Sequence, residues 1–199
     1  MNDSPLLELL LSRRSAAALT EPAPSRETLD RILGAAGTVP DHGLLRPFRF
    51  VVAEGEGRAR FGDALAKAAA EHMPGMSPSK LDKVRAKAYR SPTLVALVAS
   101  PRPGKIEVWE QDATAACAGY AVVLAAYALG VGAVWKSVPF VRAAALTEAL
   151  ALTPQEWLLG FIHLGTPARE QEPAARAPLA LAERTMELCA TGLKPWSAP

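Results

Sequence analysis

The feature that most constrains this chain is a run of 23 residues, Ala113 to Trp135, that carries no charged side chain. A helix of that length is long enough to span a bilayer. The run is built mainly from Ala, Gly and Val, however, and Gly130 and Gly132 read as a helix stop followed by a new element. The expectation is therefore a fully buried central helix, from about Ile106 to Leu129, feeding a buried strand through Val134 and Trp135. Burying such a helix takes a sizeable core. A chain of 199 residues, 50% hydrophobic and 21% charged, supplies one and excludes global disorder.

The same run predicts that Cys117 is a core residue rather than a nucleophile. With Cys189 as the other cysteine, neither a disulfide framework nor a four-cysteine zinc site is available. His42, His72 and His163 have no metal-ligand spacing. Lys and Arg total 22 against 20 Asp and Glu, a balance that argues against an electrostatic nucleic-acid binder. The opening MNDSPLLELLLSRRS puts acid before the apolar stretch and arginines after it, the wrong order for a secretory signal. A cytoplasmic protein with no membrane span is expected.

Periodicity predicts a helix over Pro5 to Arg14, with Leu6, Leu7, Leu10 and Leu11 on one face. EPAP (Glu21 to Pro24) reads as an extended connector, and Ser25 as the cap of a helix running through Leu29, Ile32 and Leu33 toward Gly37. Strands are expected at Phe48 to Ala53, at Thr93 to Ala99 (apolar throughout, hence central) and at Trp157 to Leu164, the last ended by Gly165-Thr166-Pro167. Helices are expected after Gly55-Glu56-Gly57, at Lys80 to Tyr89 and at Val141 to Leu150. From about residue 168 the chain reads as an arm with one short helix near Leu181 to Leu188. Helices outnumbering about four strands, two of them before the first strand, indicate a single α+β domain.

The loop Gly55-Glu56-Gly57 lacks the third glycine of a dinucleotide fingerprint, since Arg60 stands in its place. P-loop and G-x-S-x-G sequences are absent. Three clusters remain. Arg13-Arg14-Ser15, at the end of the first helix, can grip a phosphate monoester, or can simply complement the helix dipole. Pro40-Asp41-His42, with Arg46-Pro47-Phe48, forms a polar loop entering a strand. Trp135-Lys136-Ser137 ends the uncharged run with a cation and a hydroxyl.

The succession LLLSRRS, EPAP, GAAGTVPDH, RPFRFVVAEGEGRARF, WEQDATAACAGYAVVLAAYALGVGAVWKS and FIHLGTP resembles the flavin-dependent nitroreductase family, in its small single-domain branch. The resemblance runs from about Leu6 to Pro167. It implies an α+β fold with a central, mainly antiparallel sheet surrounded by helices, and a homodimer holding two FMN molecules at the subunit interface. It implies that Arg13, Arg14 and Ser15 hold the FMN phosphate and neighbouring groups, that Thr38 and His42 reach the flavin bound mainly to the other subunit, and that Trp135, Lys136 and Ser137 border the flavin ring. NAD(P)H would deliver hydride to the flavin, and a nitroaromatic, quinone or similar small acceptor would take it away. No side chain need act as an acid or base; Lys136 or an arginine of the first cluster is the candidate tuning cation. A flavin-binding or flavin-storage protein without turnover is the alternative. The chain departs from family patterns at Leu44 and Arg46, where many members have Asn and Gln. It departs again at Thr38 and Lys136, where some have Arg, and at Ala17, where a lysine is common.

Overall fold

The computed structural model describes residues 4–169 and 177–196. In chain order these form α1 (Pro5–Ser12), β1 (Leu19–Thr20), α2 (Arg26–Gly34), β2 (Phe48–Ala53), α3 (Glu56–His72), α4 (Pro78–Arg85), β3 (Thr93–Ala99), α5 (Val108–Ala128), β4 (Gly132–Lys136), α6 (Ala144–Ala149), β5 (Trp157–Pro167), α7 (Leu181–Arg184), β6 (Met186–Cys189) and β7 (Gly192–Pro195). Short 3-10 turns at Ala35–Thr38, His42–Leu44 and Ala86–Tyr89 join some of them. The expected α+β architecture is present. β2, β3, β5 and β4 lie side by side, all antiparallel, and β1 pairs with the far end of β5.

β3 is buried at every position, and apolar from Leu94 to Ala99, because both of its faces are covered. Leu94, Ala96 and Val98 pack in one core with α3 and α6 (Phe61, Leu65, Leu146), while Val95 packs in a second core with α2 and α5 (Leu29, Ile32, Ala118, Val122). A strand buried on both sides loses the alternation of a half-exposed one, here in an antiparallel sheet. The sheet is thus a middle layer between two helical layers. α2 begins where Ser25 Oγ accepts the Thr28 N–H at 3.1 Å, but its α-helical part stops at Gly34 and tightens into the 3-10 turn before Pro40.

Four expectations need correction. α5 is not fully buried: Ala115, Ala118, Val122 and Ala126 face the sheet, whereas Trp109, Ala113, Cys117 and Tyr120 are exposed on the opposite face. Cys117 is therefore not a core residue; periodicity could not reveal this, because both faces of the helix are apolar. β5 does not stop at Leu164 but runs on through Gly165-Thr166-Pro167, since Leu19 and Thr20 of β1 pair with Pro167 and Thr166. Finally, the helix expected to reach Leu188 ends at Arg184, and Met186 to Pro195 fold as a hairpin. Among the described residues no helix is long and apolar enough to cross a membrane.

Two buried titratable groups tie the layers together. Glu156 receives Arg49 Nε and Nη2 at 2.8 and 2.9 Å and the Thr153 N–H at 2.9 Å, which pins the loop before β5 to β2. The Arg49 guanidinium holds the Glu156 carboxyl down at about 2. His163 on β5 is wholly buried. Its Nδ1–H donates to Ser91 Oγ at 2.8 Å, because that hydroxyl itself donates to the Thr93 carbonyl at 2.7 Å. Burial, with smaller contributions from Arg90 and Lys136, pushes its pKa down to about 4. The unfolded chain protonates His163 first, so this contribution is intact above about pH 6.5 and is lost as the pH falls toward 4. The Glu156 contribution is intact above about 4.5 and is lost toward 2. Urea midpoints should hold from pH 7 to 8 and then decline without a plateau from 6.5 to 2. The His163 part should amount to about 3 kcal/mol by pH 4, and Glu156→Gln should flatten the decline below about pH 4, where the His163 part is complete.

Candidate functional site

α1 ends at Arg13, whose backbone turns extended (φ −52°, ψ 133°). Arg14 then folds back, and its Nη1 donates to the carbonyls of Leu11, Ser12 and Arg13 at 2.9, 3.0 and 2.9 Å. The Tyr127 hydroxyl, from the last turn of α5, donates to the Ser12 carbonyl at 3.1 Å. Two residues on, the Ala16 N–H donates to the Ala133 carbonyl at 2.9 Å and fastens the Arg13-Arg14-Ser15 segment along β4. Arg14, Tyr127, Ala133, Pro167 and Arg169 line a cavity of about 330 Å³ there. Arg169 escaped sequence reasoning because it lies in the stretch read as an arm. The β1–β5 pairing and the bond from Ala168 N–H to the Ala18 carbonyl, 3.1 Å, carry it back beside Arg14.

Trp135 and Lys136 are neighbours on β4, so their side chains leave opposite faces of the sheet. Trp135 points under α5, partly buried against the core that contains Ala118 and Ile162. Its indole occupies a slot that two glycines leave open. A Cβ on Gly119 would stand 2.7 Å from ring carbons Cζ3 and Cη2, and a Cβ on Gly160 would fall on Nε1 and lie 2.8 Å from the Lys136 carbonyl. Lys136 and Ser137 are exposed at the strand's end.

Thr38 and His42 sit elsewhere. The Thr38 hydroxyl donates to the Ala35 carbonyl at 2.8 Å, and His42 Nδ1 lies 3.0 Å from Glu110 Oε2 in the first turn of α5. The Thr114 hydroxyl, donating to the Pro40 carbonyl at 3.2 Å, holds this loop to the same end of the helix. Glu110 escaped sequence reasoning because its partner lies 68 residues earlier. Glu110 and Tyr127 are about 25 Å apart at 1.5 Å per helical residue. The structure thus joins Arg13, Arg14 and Ser15 to Trp135, Lys136 and Ser137 through β4, and leaves Thr38 and His42 at the far end of α5. Between the two ends runs the exposed, uncharged stripe of Trp109 (70% exposed), Ala113, Cys117 and Tyr120 (45%). Leu6, Leu7 and Leu11 of α1 are exposed as well.

The sequence profile of the Nitroreductase family matches residues 10–166. The chain is 38% identical over 173 residues, 86% of its length and 93% of the relative's, to an Escherichia coli (strain K12) protein named "Putative NAD(P)H nitroreductase YdjA". A relative from Haemophilus influenzae, named "Putative NAD(P)H nitroreductase", is 37% identical over 85% of this chain and 92% of its own. Among solved structures, a nitroreductase-like family protein from Bacillus cereus shares the fold with a TM-score of 0.79 over 96% of this chain and 98% of its own, at 23% identity. A Desulfovibrio desulfuricans protein, described as "a putative nitroreductase in complex with fmn", superposes with a TM-score of 0.70 over 98% of this chain and 100% of its own, at 26% identity.

The Trp135 slot gives a direct test of the packing that positions β4. Gly160→Ala should destabilise the protein by about 1–3 kcal/mol through overpacking. Gly34→Ala, where an added Cβ meets nothing within 4 Å, should be neutral or slightly stabilising. Urea midpoints of the two variants against the unaltered protein decide it.

Proposed function

The chain belongs to the nitroreductase family, and from that premise we propose that it is an FMN-dependent oxidoreductase that passes hydride from NAD(P)H to small acceptors such as nitroaromatics and quinones. The observation that carries this reading is the division of the site between the two ends of α5, with an uncharged exposed stripe between them.

The residues present fit the cofactor. A cavity lined by Arg14 and Arg169 suits a dianionic phosphate. Arg13 and Ser15 flank it on the same segment. β4 leads from this cavity to Trp135, Lys136 and Ser137, where the ring would lie. When bound, FMN supplies the hydride-accepting and hydride-donating ring. Trp135, fixed between Gly119 and Gly160, stiffens the strand beneath it. Lys136 adds positive charge at the strand's end and would tune the ring rather than anchor it.

His42 sits on Glu110, about 25 Å along α5 from Tyr127 at the phosphate cavity, and it and Thr38, on the loop before it, would reach the flavin from a second copy. Two copies of α5 packed antiparallel about a two-fold axis set the Glu110 end of one against the Tyr127 end of the other. Such a homodimer also covers the apolar stripe, whose exposure in a lone chain is otherwise unfavourable. Near the middle of that stripe, Cys117 of each copy lies close to the axis.

Purified protein should be yellow and should oxidise NAD(P)H in the presence of a nitroaromatic or quinone; colourless protein that takes up no FMN would refute the reading. Arg13→Ala with Ser15→Ala should weaken FMN binding by about tenfold to several hundredfold, the loss of one or two charge-assisted contacts. Equilibrium dialysis measures this. Lys136→Ala should retain most FMN and lower the flavin's two-electron potential by a few tens of millivolts, roughly 30 mV per 1.4 kcal/mol. In a Cys189→Ser background, a short bis-maleimide should convert the protein to a covalent dimer through Cys117, and Cys117→Ala should abolish that product.

A further inference from the structure

His42 is the side chain of the far cluster best placed to meet a ligand. It stands on a 3-10 turn with 69% of its side chain exposed, a setting that ordinarily leaves an imidazole free to change rotamer. Glu110, from the first turn of α5 and 33% exposed, takes hold of it from behind, with Oε2 at 3.0 Å from Nδ1. The backbone beneath is fixed as well. The Asp41 carboxylate accepts the N–H groups of Leu45 and Arg46 at 3.2 and 2.7 Å. The Thr114 hydroxyl ties the Pro40 carbonyl to α5. Gly43 (φ 74°) lies so close to Ile106 that a Cβ there would stand 2.8 Å from its Cδ1. Leu44 and Arg46 take positive φ of 53° and 48°, a strained state for residues with a side chain that persists where the surroundings enforce it. An exposed imidazole is thus held in one orientation by its own subunit, the condition for a precise contact.

We propose that Glu110 is a positioning residue: it holds His42 in the tautomer protonated at Nδ1, so that Nε2 faces the other subunit's FMN as a hydrogen-bond acceptor for a ribityl hydroxyl. The proposal rests on the FMN-dependent, two-fold reading above. An ionised carboxylate only accepts hydrogen bonds, so the bond to Glu110 requires the proton on Nδ1. A neutral ring then keeps its lone pair on Nε2, on the side turned away from Glu110. That lone pair excludes most of the cofactor. The phosphate oxygens and the ring carbonyls are acceptors too and would repel it. The donors that FMN offers are its ribityl hydroxyls and the N–H of its ring, and the ring belongs at the end of β4. Antiparallel packing of α5 sets Glu110 and His42 beside the other copy's Tyr127 end, where the phosphate cavity lies. The ribityl chain leaves the phosphate there. A hydroxyl of that chain is therefore the group that Nε2 meets, and Glu110 acts on the cofactor only through the imidazole.

Nitrogen NMR of the full-length, FMN-loaded protein, isotopically labelled on its histidine rings, tests this at about pH 8. The His42 signals, identified as those missing from His42→Ala, should show Nδ1 protonated and Nε2 bare. Glu110→Ala should give a mixture of tautomers, and Glu110→Gln, which keeps an accepting oxygen, should restore the original one. Glu110→Ala and His42→Ala should each weaken FMN binding by about three- to tenfold, the loss of one neutral hydrogen bond. Together they should weaken it no more than His42→Ala alone, because Glu110 acts through the imidazole. Losses that add, or a His42 ring protonated at Nε2 in the unaltered holoprotein, overturn the positioning role. The second of these outcomes decides even if Glu110→Ala does not fold. Where sedimentation finds those results on an FMN-loaded dimer, the two-fold reading stands without the proposal. An FMN-loaded monomer, or protein that takes up no FMN, overturns that reading and the proposal with it.

Discussion

The close seating of α5 on the sheet governs the rest of the molecule. Ala115, Ala118, Gly119, Val122 and Ala126 form its inner face, small enough for the Leu97 and Trp135 side chains of the sheet to reach the helix at Gly119. Gly119 and, on the neighbouring strand β5, Gly160 leave the space that the Trp135 indole fills. A larger side chain at either position would drive the helix or β4 away. The Ala16–Ala133 bond, which holds Arg13 to Ser15 against β4, would be displaced with the strand. Packing around one indole thus sets the position of the cationic cluster and of the strand end beside it.

Much of this fold was legible in the sequence. β2 and β3 occupy the predicted residues to the position, because a strand bounded by proline, glycine or serine and filled with β-branched and aromatic side chains has few alternatives. The long helix was legible from its charge-free run. What was hidden depended on pairing with distant segments. β5 extends three residues because a two-residue strand 146 positions earlier gives Thr166 and Pro167 a partner. The hairpin at Met186 to Pro195 lacks the Asn-Gly or Asp-Gly signal that marks a tight turn, since Ala190 and Thr191 occupy it. The two-sided apolarity of α5 was the most instructive case. Sequence shows that a helix is apolar all round, but not whether its own chain covers both sides, and here it covers one.

The candidate site was legible in pieces. Arg13-Arg14-Ser15 and Trp135-Lys136-Ser137 stand out as charge returning after apolar runs, and β4 brings them together. Thr38 and His42 belong to the other end of α5, and no feature of local sequence conveys that separation. Arg169 could be found only after β5 was known to return to β1. The split is a physical consequence of small size. A sheet of five strands with a helical layer on each side has little spare surface for a concave site, and the two-fold arrangement proposed above would supply one.

Arg14 links these levels in one side chain. The C-terminus of a helix carries unsatisfied carbonyls and the negative end of the dipole, an unfavourable neighbour for an anion. In this chain the carbonyls of Leu11, Ser12 and Arg13 are covered by Arg14 Nη1, and that of Ser12 also by the Tyr127 hydroxyl. The two readings of the cluster, helix cap and phosphate grip, are therefore not rivals. Capping screens the helix end, and the guanidinium's charge remains beside the cavity that Arg169 shares. A phosphate there would meet two cations instead of a ring of carbonyl oxygens. Arg14→Leu would restore the repulsive helix end as well as remove a cation. Its effect on phosphate affinity should therefore exceed that of Arg169→Leu, which removes charge alone.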